Sequence, residues 1–235
     1  MLKKSPLSGA YITEHDHLNH NVLVLTGTWQ SDFVKLFKKN KVNGIRLSHS
    51  AGWKNAPLDF IVQLENLHSF ELYNAETKDI SILNTQPQLQ HISLACPFKK
   101  TDFSTFKDLV IFMSSWRRGC ESVLELKQLY YINMSAYPYE DLTPLNPLKN
   151  LKRLYLQSRK LAALNGIELL PQLSQLQLSY CSNLADISKV NSSQSIEEVE
   201  FYNCKKASHI DTIKQAPSIH SIYVEDAGKV ISWKN

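Results

Sequence analysis

Residues Leu173 to Cys181 read Leu-Ser-Gln-Leu-Gln-Leu-Ser-Tyr-Cys, an L-x-x-L-x-L-x-x-C string, and the string returns along the chain. Ile196, Val199, Phe201 and Cys204 repeat it downstream; Leu151, Leu154 and Leu156 repeat it upstream. Further copies are Ile219/Ile222/Val224, Leu129/Ile132/Met134, Phe106/Leu109/Ile111, Leu89/Ile92/Leu94, Leu67/Phe70/Leu72 and Val42/Ile45/Leu47, with a degenerate first copy at His20/Leu23/Leu25. The first positions fall at 20, 42, 67, 89, 106, 129, 151, 173, 196 and 219, so seven of the nine steps are 22 or 23 residues. A period of that length means a stacked array in which each unit buries its apolar side only against its neighbours. The step of 17 between 89 and 106 breaks the period: either that repeat is truncated or its register is shifted.

Within each copy, positions four and six are apolar and alternate with five and seven, which is strand periodicity. One short strand per repeat, paired in parallel with the next, points the apolar pair into a common core. The returns carry their own apolar sets, such as Leu142/Leu145/Leu148, Leu164/Ile167/Leu170, Leu184/Ile187/Val190 and Ile210/Ile213. Each set fits a turn or two of α- or 3-10 helix, limited by Pro144, Pro147, Pro171 and Pro217. Residues 31–39 predict an amphipathic α-helix capped by Ser31 or Asp32. Residues 57–67 predict another, and 114–126 are the least regular stretch. Residues 1–19 and 227–235 are expected as caps over the exposed ends of the array, with Val230–Trp233 as a last strand bearing an aromatic lid. The economical organisation is one domain, 1–235, with repeats over 20–226.

The run Leu142-Thr-Pro-Leu145-Asn-Pro-Leu148-Lys-Asn-Leu151-Lys-Arg-Leu154-Tyr-Leu156 resembles bacterial leucine-rich-repeat proteins of the internalin-like type, with 22-residue repeats. The resemblance covers roughly 200 residues by the repeat walk and is strongest from Leu129 onward. It implies an α/β solenoid: a horseshoe of about ten repeats, with a parallel sheet on the concave side and short helices or 3-10 turns on the convex side. For function it implies protein binding. Small leaderless members resemble cytosolic binding proteins, among them immunity proteins that neutralise a toxin. The ninth position departs from the family's Asn or Cys in most copies, only Cys181 and Cys204 matching, so the turn after the strand must be satisfied differently elsewhere.

Outward strand positions line the face such a protein uses. Tyr73, Phe112, Tyr130, Tyr131, Tyr155, Tyr202 and Tyr223 place rings there, and aromatics and Arg are the usual anchors of protein interfaces. Charge segregates along the same face, with Lys152 and Arg153 in the seventh repeat and Glu197, Glu198, Glu200 and Glu225 in the ninth and tenth. The candidate partner-binding set is therefore Tyr73, Phe112, Tyr130, Tyr131, Arg153, Tyr155, Glu198, Glu200, Tyr202 and Tyr223. The bland alternative is that tyrosines favour strands and stack while the charges solvate the face.

Other chemistries find little support. Lys and Arg number 26 against 22 Asp and Glu, without the one-sided basic stripe of a nucleic-acid binder. No P-loop, G-x-G-x-x-G or G-x-S-x-G string occurs. Four dispersed cysteines suit reduced thiols rather than a disulfide scaffold. Glu14-His15-Asp16-His17, with His20, is the most zinc-like run, but it lacks a third and fourth ligand placed by the sequence. It is read as a polar cap loop. No apolar h-region follows Lys3-Lys4 and no stretch is long enough to span a membrane. The expectation is a cytoplasmic, monomeric, non-enzymatic protein with no cofactor and one protein partner, a toxin or an enzyme. Two rival readings are an assembly protein using its convex side or its Trp233 end, and an enzyme or metal site built on residues 1–20 or 114–126.

Overall fold

The computed structural model describes residues 8–15, 17–39, 41–54, 57–207, 213, 217–226 and 229–234. Twelve strands of five or six residues follow one another in chain order: β1 (Ala10–Glu14), β2 (Asn21–Leu25), β3 (Gly44–Ser48), β4 (Ser69–Tyr73), β5 (His91–Ala95), β6 (Ile111–Ser115), β7 (Tyr131–Ser135), β8 (Arg153–Gln157), β9 (Gln175–Ser179), β10 (Glu198–Tyr202), β11 (Ser221–Asp226) and β12 (Lys229–Lys234). The first and last pairs, β1–β2 and β11–β12, are antiparallel. From β2 to β5 and from β7 to β11 the pairing is parallel. This is the solenoid class that the repeat implies. The register matches the repeat columns: Leu154 lies beside Leu176, Leu176 beside Val199 and Val199 beside Ile222. All four are essentially buried.

The chain divides into two compact units, Met1–Met113 with Arg117–Val123, and Ser114–Trp116 with Leu124–Asn235. The first buries Leu23, Ile45, Phe70 and Ile92 from its strands, together with Phe33, Phe37 and Trp53 from its returns. Trp29 stacks on Phe60, with ring centroids 4.3 Å apart. The second buries the columns Ile132/Leu154/Leu176/Val199 and Met134/Leu156/Leu178/Phe201 over Leu145, Ile167 and Val190.

Two returns are tighter than the sequence predicts, and the others take the 3-10 form it allows. Residues 31–39 form a 3-10 turn, Ser31–Phe33, running into a single short α-helix, α1 (Val34–Lys38). The N-cap of the turn is Gln30, without a side-chain cap bond, so neither Ser31 nor Asp32 caps it. The buried pair Phe33 and Phe37 fixes the segment instead. The 57–67 return is a 3-10 turn, Asp59–Gln63, as are Ser81–Thr85, Thr143–Leu145, Ile167–Leu169 and Ser188–Ser192. An α-helix with side chains is about 10–12 Å across. Neighbouring strands are only about 4.8 Å apart, so a narrow 3-10 turn stacks at the strand spacing where a full helix would splay it. Ile213 is buried as expected, while its partner Ile210 lies outside the described residues.

The anomalous step of 17 is a register error. Gln90 O accepts the amides of Val110 and Ile111. In other repeats the same carbonyl accepts positions two and three of the next copy, as Tyr130 O does from Lys152 and Arg153. Leu109, not Phe106, is therefore the first position, 20 residues after Leu89 and 20 before Leu129. The repeat is shortened slightly at both of its junctions rather than truncated at one. In the irregular stretch that follows, Cys120–Glu125 forms a 3-10 turn and Cys120 is buried.

The strand exits explain how repeats without Asn or Cys at position nine make their turn. Asn74, Ala136, Tyr180 and Asn203, all at position eight, adopt left-handed backbone with φ of 52–55°. Their turn is tied across repeats whatever stands at position nine: Asn74 N donates to Ala95 O before Ala75 and Tyr137 N to Gln157 O, just as Tyr180 N donates to Tyr202 O before Cys181. At position nine, Tyr137 replaces the small residue; it is buried and its hydroxyl donates to Asp141 O at 2.9 Å.

Candidate protein-binding site

Strands of the second unit alternate cleanly between core and solvent. β8, β9 and β10 bury positions four and six and leave three, five and seven half-exposed or exposed. Their solvent side carries a continuous set of polar and aromatic groups. Position three runs Tyr131, Arg153, Gln175 and Glu198. The Arg153 guanidinium lies over the Tyr131 ring, 5.4 Å from its centroid. Its Nε donates to Gln175 Oε1 at 2.5 Å, and Gln175 Nε2 donates to Glu198 Oε2 at 2.8 Å. The amide thus turns its oxygen to the cation and its NH2 to the carboxylate. Three residues from successive repeats hold one another in fixed orientation, which lowers the side-chain entropy lost when a partner docks.

Tyr155, at position five, packs edge-on to Tyr131 with centroids 5.1 Å apart. Farther along, Tyr202 and Tyr223 stand 5.2 Å apart. Each phenol donates to the carboxylate two residues away on its own strand, Tyr202 to Glu200 at 3.3 Å and Tyr223 to Glu225 at 3.0 Å. Burial first, then the Glu200 charge, pushes the Tyr202 hydroxyl up to about 12. The bond to Glu225 raises that of Tyr223. Both stay protonated donors at physiological pH. An open hollow of about 520 Å³ flanks this set, lined by Lys152, Ser174, Glu197 and His220 among others.

In the first unit the solvent side is covered. β4 and β5 are buried on both faces, including Ser69, Glu71, His91 and Ser93. Arg46 meets Glu71 in a two-point ion pair, Nε to Oε2 at 2.5 Å and the terminal nitrogen to Oε1 at 3.1 Å. His15, from the segment after β1, lies 2.7 Å from His91 through Nε2 and Nδ1. This network was not read from the sequence. Its legible signs were the His15 run, read as a polar cap loop, and Arg46 and Glu71 in the same column of adjacent repeats.

Against that geometry the candidate residues sort as follows. Arg153, Tyr155, Glu198, Glu200, Tyr202 and Tyr223 share the solvent side of the second unit, with Tyr130 half-exposed at its margin. Two expectations are corrected. Phe112 is fully buried, because the register shift puts it at position four, where it meets Phe103 with centroids 5.0 Å apart. Tyr131 faces the solvent side but is only 3% exposed, since Arg153 and Tyr155 cover it; it supports the face rather than presenting itself. Tyr73, half-exposed like the other tyrosines kept in the set, belongs to the first unit, where its hydroxyl donates to Glu71 at 2.7 Å and Ser93 at 3.1 Å.

All four cysteines are free and buried, and burial pushes the Cys120 thiol up to about 11. A nucleophilic cysteine needs the opposite shift. Among the described residues no helix is long and apolar enough to cross a membrane.

No protein-family model matches the chain, and no curated protein sequence is significantly similar to it. Solved structures do match. Internalin C2 of Listeria monocytogenes is 14% identical, with 87% of this chain and 80% of that one covered and a TM-score of 0.56. An internalin, InlF, from the same organism is 16% identical over 85% of this chain and 58% of its own, with a TM-score of 0.61. A leucine-rich-repeat protein of Leptospira interrogans is 18% identical over 86% and 52%, at 0.52. The chain thus spans little more than half the length of the latter two. At these identities the likeness is one of fold, and it agrees with the repeat register, the stacked parallel strands and the 3-10 returns: the chain folds as a leucine-rich-repeat solenoid.

Proposed function

We propose that this chain is a non-enzymatic binding protein that holds one protein partner on the solvent side of β7 to β11. The observation that carries this reading is the interlocked row Tyr131–Arg153–Gln175–Glu198 beside the paired rings of Tyr202 and Tyr223. Rigid aromatic and Arg side chains of this kind are what interfaces use as anchors. Leucine-rich-repeat architecture suits the role, because stacked strands present an extended surface with independently variable positions. The acidic end formed by Glu198, Glu200 and Glu225 suits a partner element bearing Lys or Arg.

The concrete form we propose is inhibition: a toxin or enzyme whose basic surface is covered by a monomer of this protein. Free, buried thiols fit a reducing compartment such as the cytoplasm. The test is a Tyr155→Ala, Tyr202→Ala, Tyr223→Ala triple variant, compared with wild type for proteins retained from the native extract in stoichiometric amount. A partner held by the wild type and lost by the folded variant supports the reading. A partner held equally by both refutes it.

A further inference from the structure

Arg46 and Arg153 are the only Lys or Arg residues carried by β2 to β11, and tyrosine takes part in holding each. Arg46 meets a Glu-x-Tyr pair on β4. Its Nε and terminal nitrogen donate to the two oxygens of Glu71 at 2.5 and 3.1 Å, and the Tyr73 hydroxyl donates to the same carboxylate at 2.7 Å. Arg153 lies over the Tyr131 ring. The chemistry of the guanidinium explains both. Its planar fork offers parallel N–H donors to a carboxylate, and its weakly hydrated faces lie well on aromatic rings.

The Glu-x-Tyr pair recurs on β10 as Glu200 and Tyr202, at positions five and seven like Glu71 and Tyr73. β11 carries it reversed, as Tyr223 and Glu225. The parallel register sets Glu200 beside Tyr223 and Tyr202 beside Glu225, so acid and phenol alternate around a square of four side chains. All four are half-exposed, whereas Glu71 is only 1% exposed. Each phenol is committed as a donor to the carboxylate of its own strand, at 3.3 and 3.0 Å. The two rings stand 5.2 Å apart with their planes inclined by 39°.

What differs between the two units is the cation. Beside Glu71, position five of β3 is Arg46; beside Glu200, position five of β9 is the neutral Gln177. Among the described residues no Lys or Arg forms an ion pair with Glu200 or Glu225. Two carboxylates and two ring faces are thus turned to solvent in the arrangement that, on β4, holds a guanidinium of the chain itself.

We propose that this square seats an arginine side chain of the partner, an inference that rests on the binding face proposed above. The guanidinium forks onto Glu200 as Arg46 forks onto Glu71, lies against the Tyr202 and Tyr223 rings, and has Glu225 as its second negative neighbour. Lysine suits the square less well. Its ammonium is a compact, strongly hydrated point charge, with no fork for a carboxylate and no plane to lay on a ring. The square therefore selects Arg over Lys at equal charge, which a merely acidic surface does not.

Two peptides of equal charge, acetyl-Gly-Arg-Gly-Arg-Gly-amide and its lysine counterpart, test this on the whole chain without a partner. They are titrated in at low ionic strength and followed by the NMR signals of the tyrosine rings, assigned with Tyr→Phe variants. The arginine peptide is expected to bind at least about fivefold more tightly and to shift the Tyr202 and Tyr223 signals. Glu200→Gln together with Glu225→Gln, isosteric changes at half-exposed positions, should bring the two peptides within about twofold of each other. Glu197→Gln removes an exposed carboxylate outside the square and should leave the preference intact. Equal affinity for the two peptides, a preference that survives the double variant, or an arginine peptide that shifts neither ring would each overturn the seat. The binding face fails separately. A partner held equally by wild type and the triple tyrosine variant refutes the face, whatever the peptides show. A partner lost by that variant but held undiminished by the double glutamine variant refutes the arginine seat alone.

Discussion

Phe112 and Tyr155 are both rings on five-residue strands, yet the structure gives them opposite duties. Phe112 has no exposed area and packs on Phe103. Phe112→Ala should leave a cavity and cost about 3–5 kcal/mol in urea unfolding. Tyr155 is half-exposed over Tyr131. Tyr155→Ala should cost no more than about 1 kcal/mol of stability while accelerating partner dissociation about tenfold or more. If both variants changed stability alike, the distinction between core and anchor would fail. The sequence could not make this distinction for Phe112, because side chains alternate along a strand and a register error of three residues reverses their parity. Tyr131 was read as exposed for a different reason. Its position does face the solvent side, but whether a neighbour such as Arg153 lies across it depends on rotamers that spacing does not encode.

Among the elements, the strands and the 3-10 returns of the later repeats were legible, and the short length of the 31–39 and 57–67 returns was not. Strand positions follow from apolar alternation repeated at a fixed period, so nearly every column found in the sequence is a column in the sheet, β6 excepted. Returns obey a steric constraint that acts between repeats, and residues 31–39, read alone, look more helical than they are. Backbone conformation at the exits offers a direct test. Ala136 sits at φ 55°, where a side chain costs an L-residue roughly 1–2 kcal/mol relative to the right-handed region. Ala136→Gly is expected to stabilise the protein by about 0.5–1 kcal/mol, after the greater chain entropy of glycine is set against the relief. Gly166→Ala should do the reverse. Gly166 has φ 92°, and an added Cβ would stand 2.5 Å from the backbone nitrogen of Thr143. A loss of about 2–4 kcal/mol in thermal or urea unfolding is expected; a neutral Gly166→Ala would show that the return between those repeats is looser than its geometry indicates.

On the scale of the whole molecule, charge is distributed differently from what the net value of +4 suggests. The Lys and Arg ion pairs seen between described residues, Lys35–Asp32, Lys38–Glu65, Arg46–Glu71 and Lys99–Asp79, involve positions no later than Lys99. Glu198, Glu200 and Glu225 instead take hydrogen bonds from Gln175, Tyr202 and Tyr223. Neutral donors orient these carboxylates without cancelling their charge, so the field of the β10–β11 face reaches solvent. Such a field acts mainly on encounter rather than on the docked contact. Once the partner is in hand, Glu198→Gln, Glu200→Gln and Glu225→Gln together should slow association about tenfold at low ionic strength. The dissociation rate should change less. At about 1 M salt, where screening acts within roughly 3 Å, the association rates of variant and wild type should converge. Stopped-flow association across a salt series measures this directly. Parallel salt dependences for the two proteins would mean that the carboxylates only solvate the face, and that its tyrosines and Arg153 recognise the partner without electrostatic guidance.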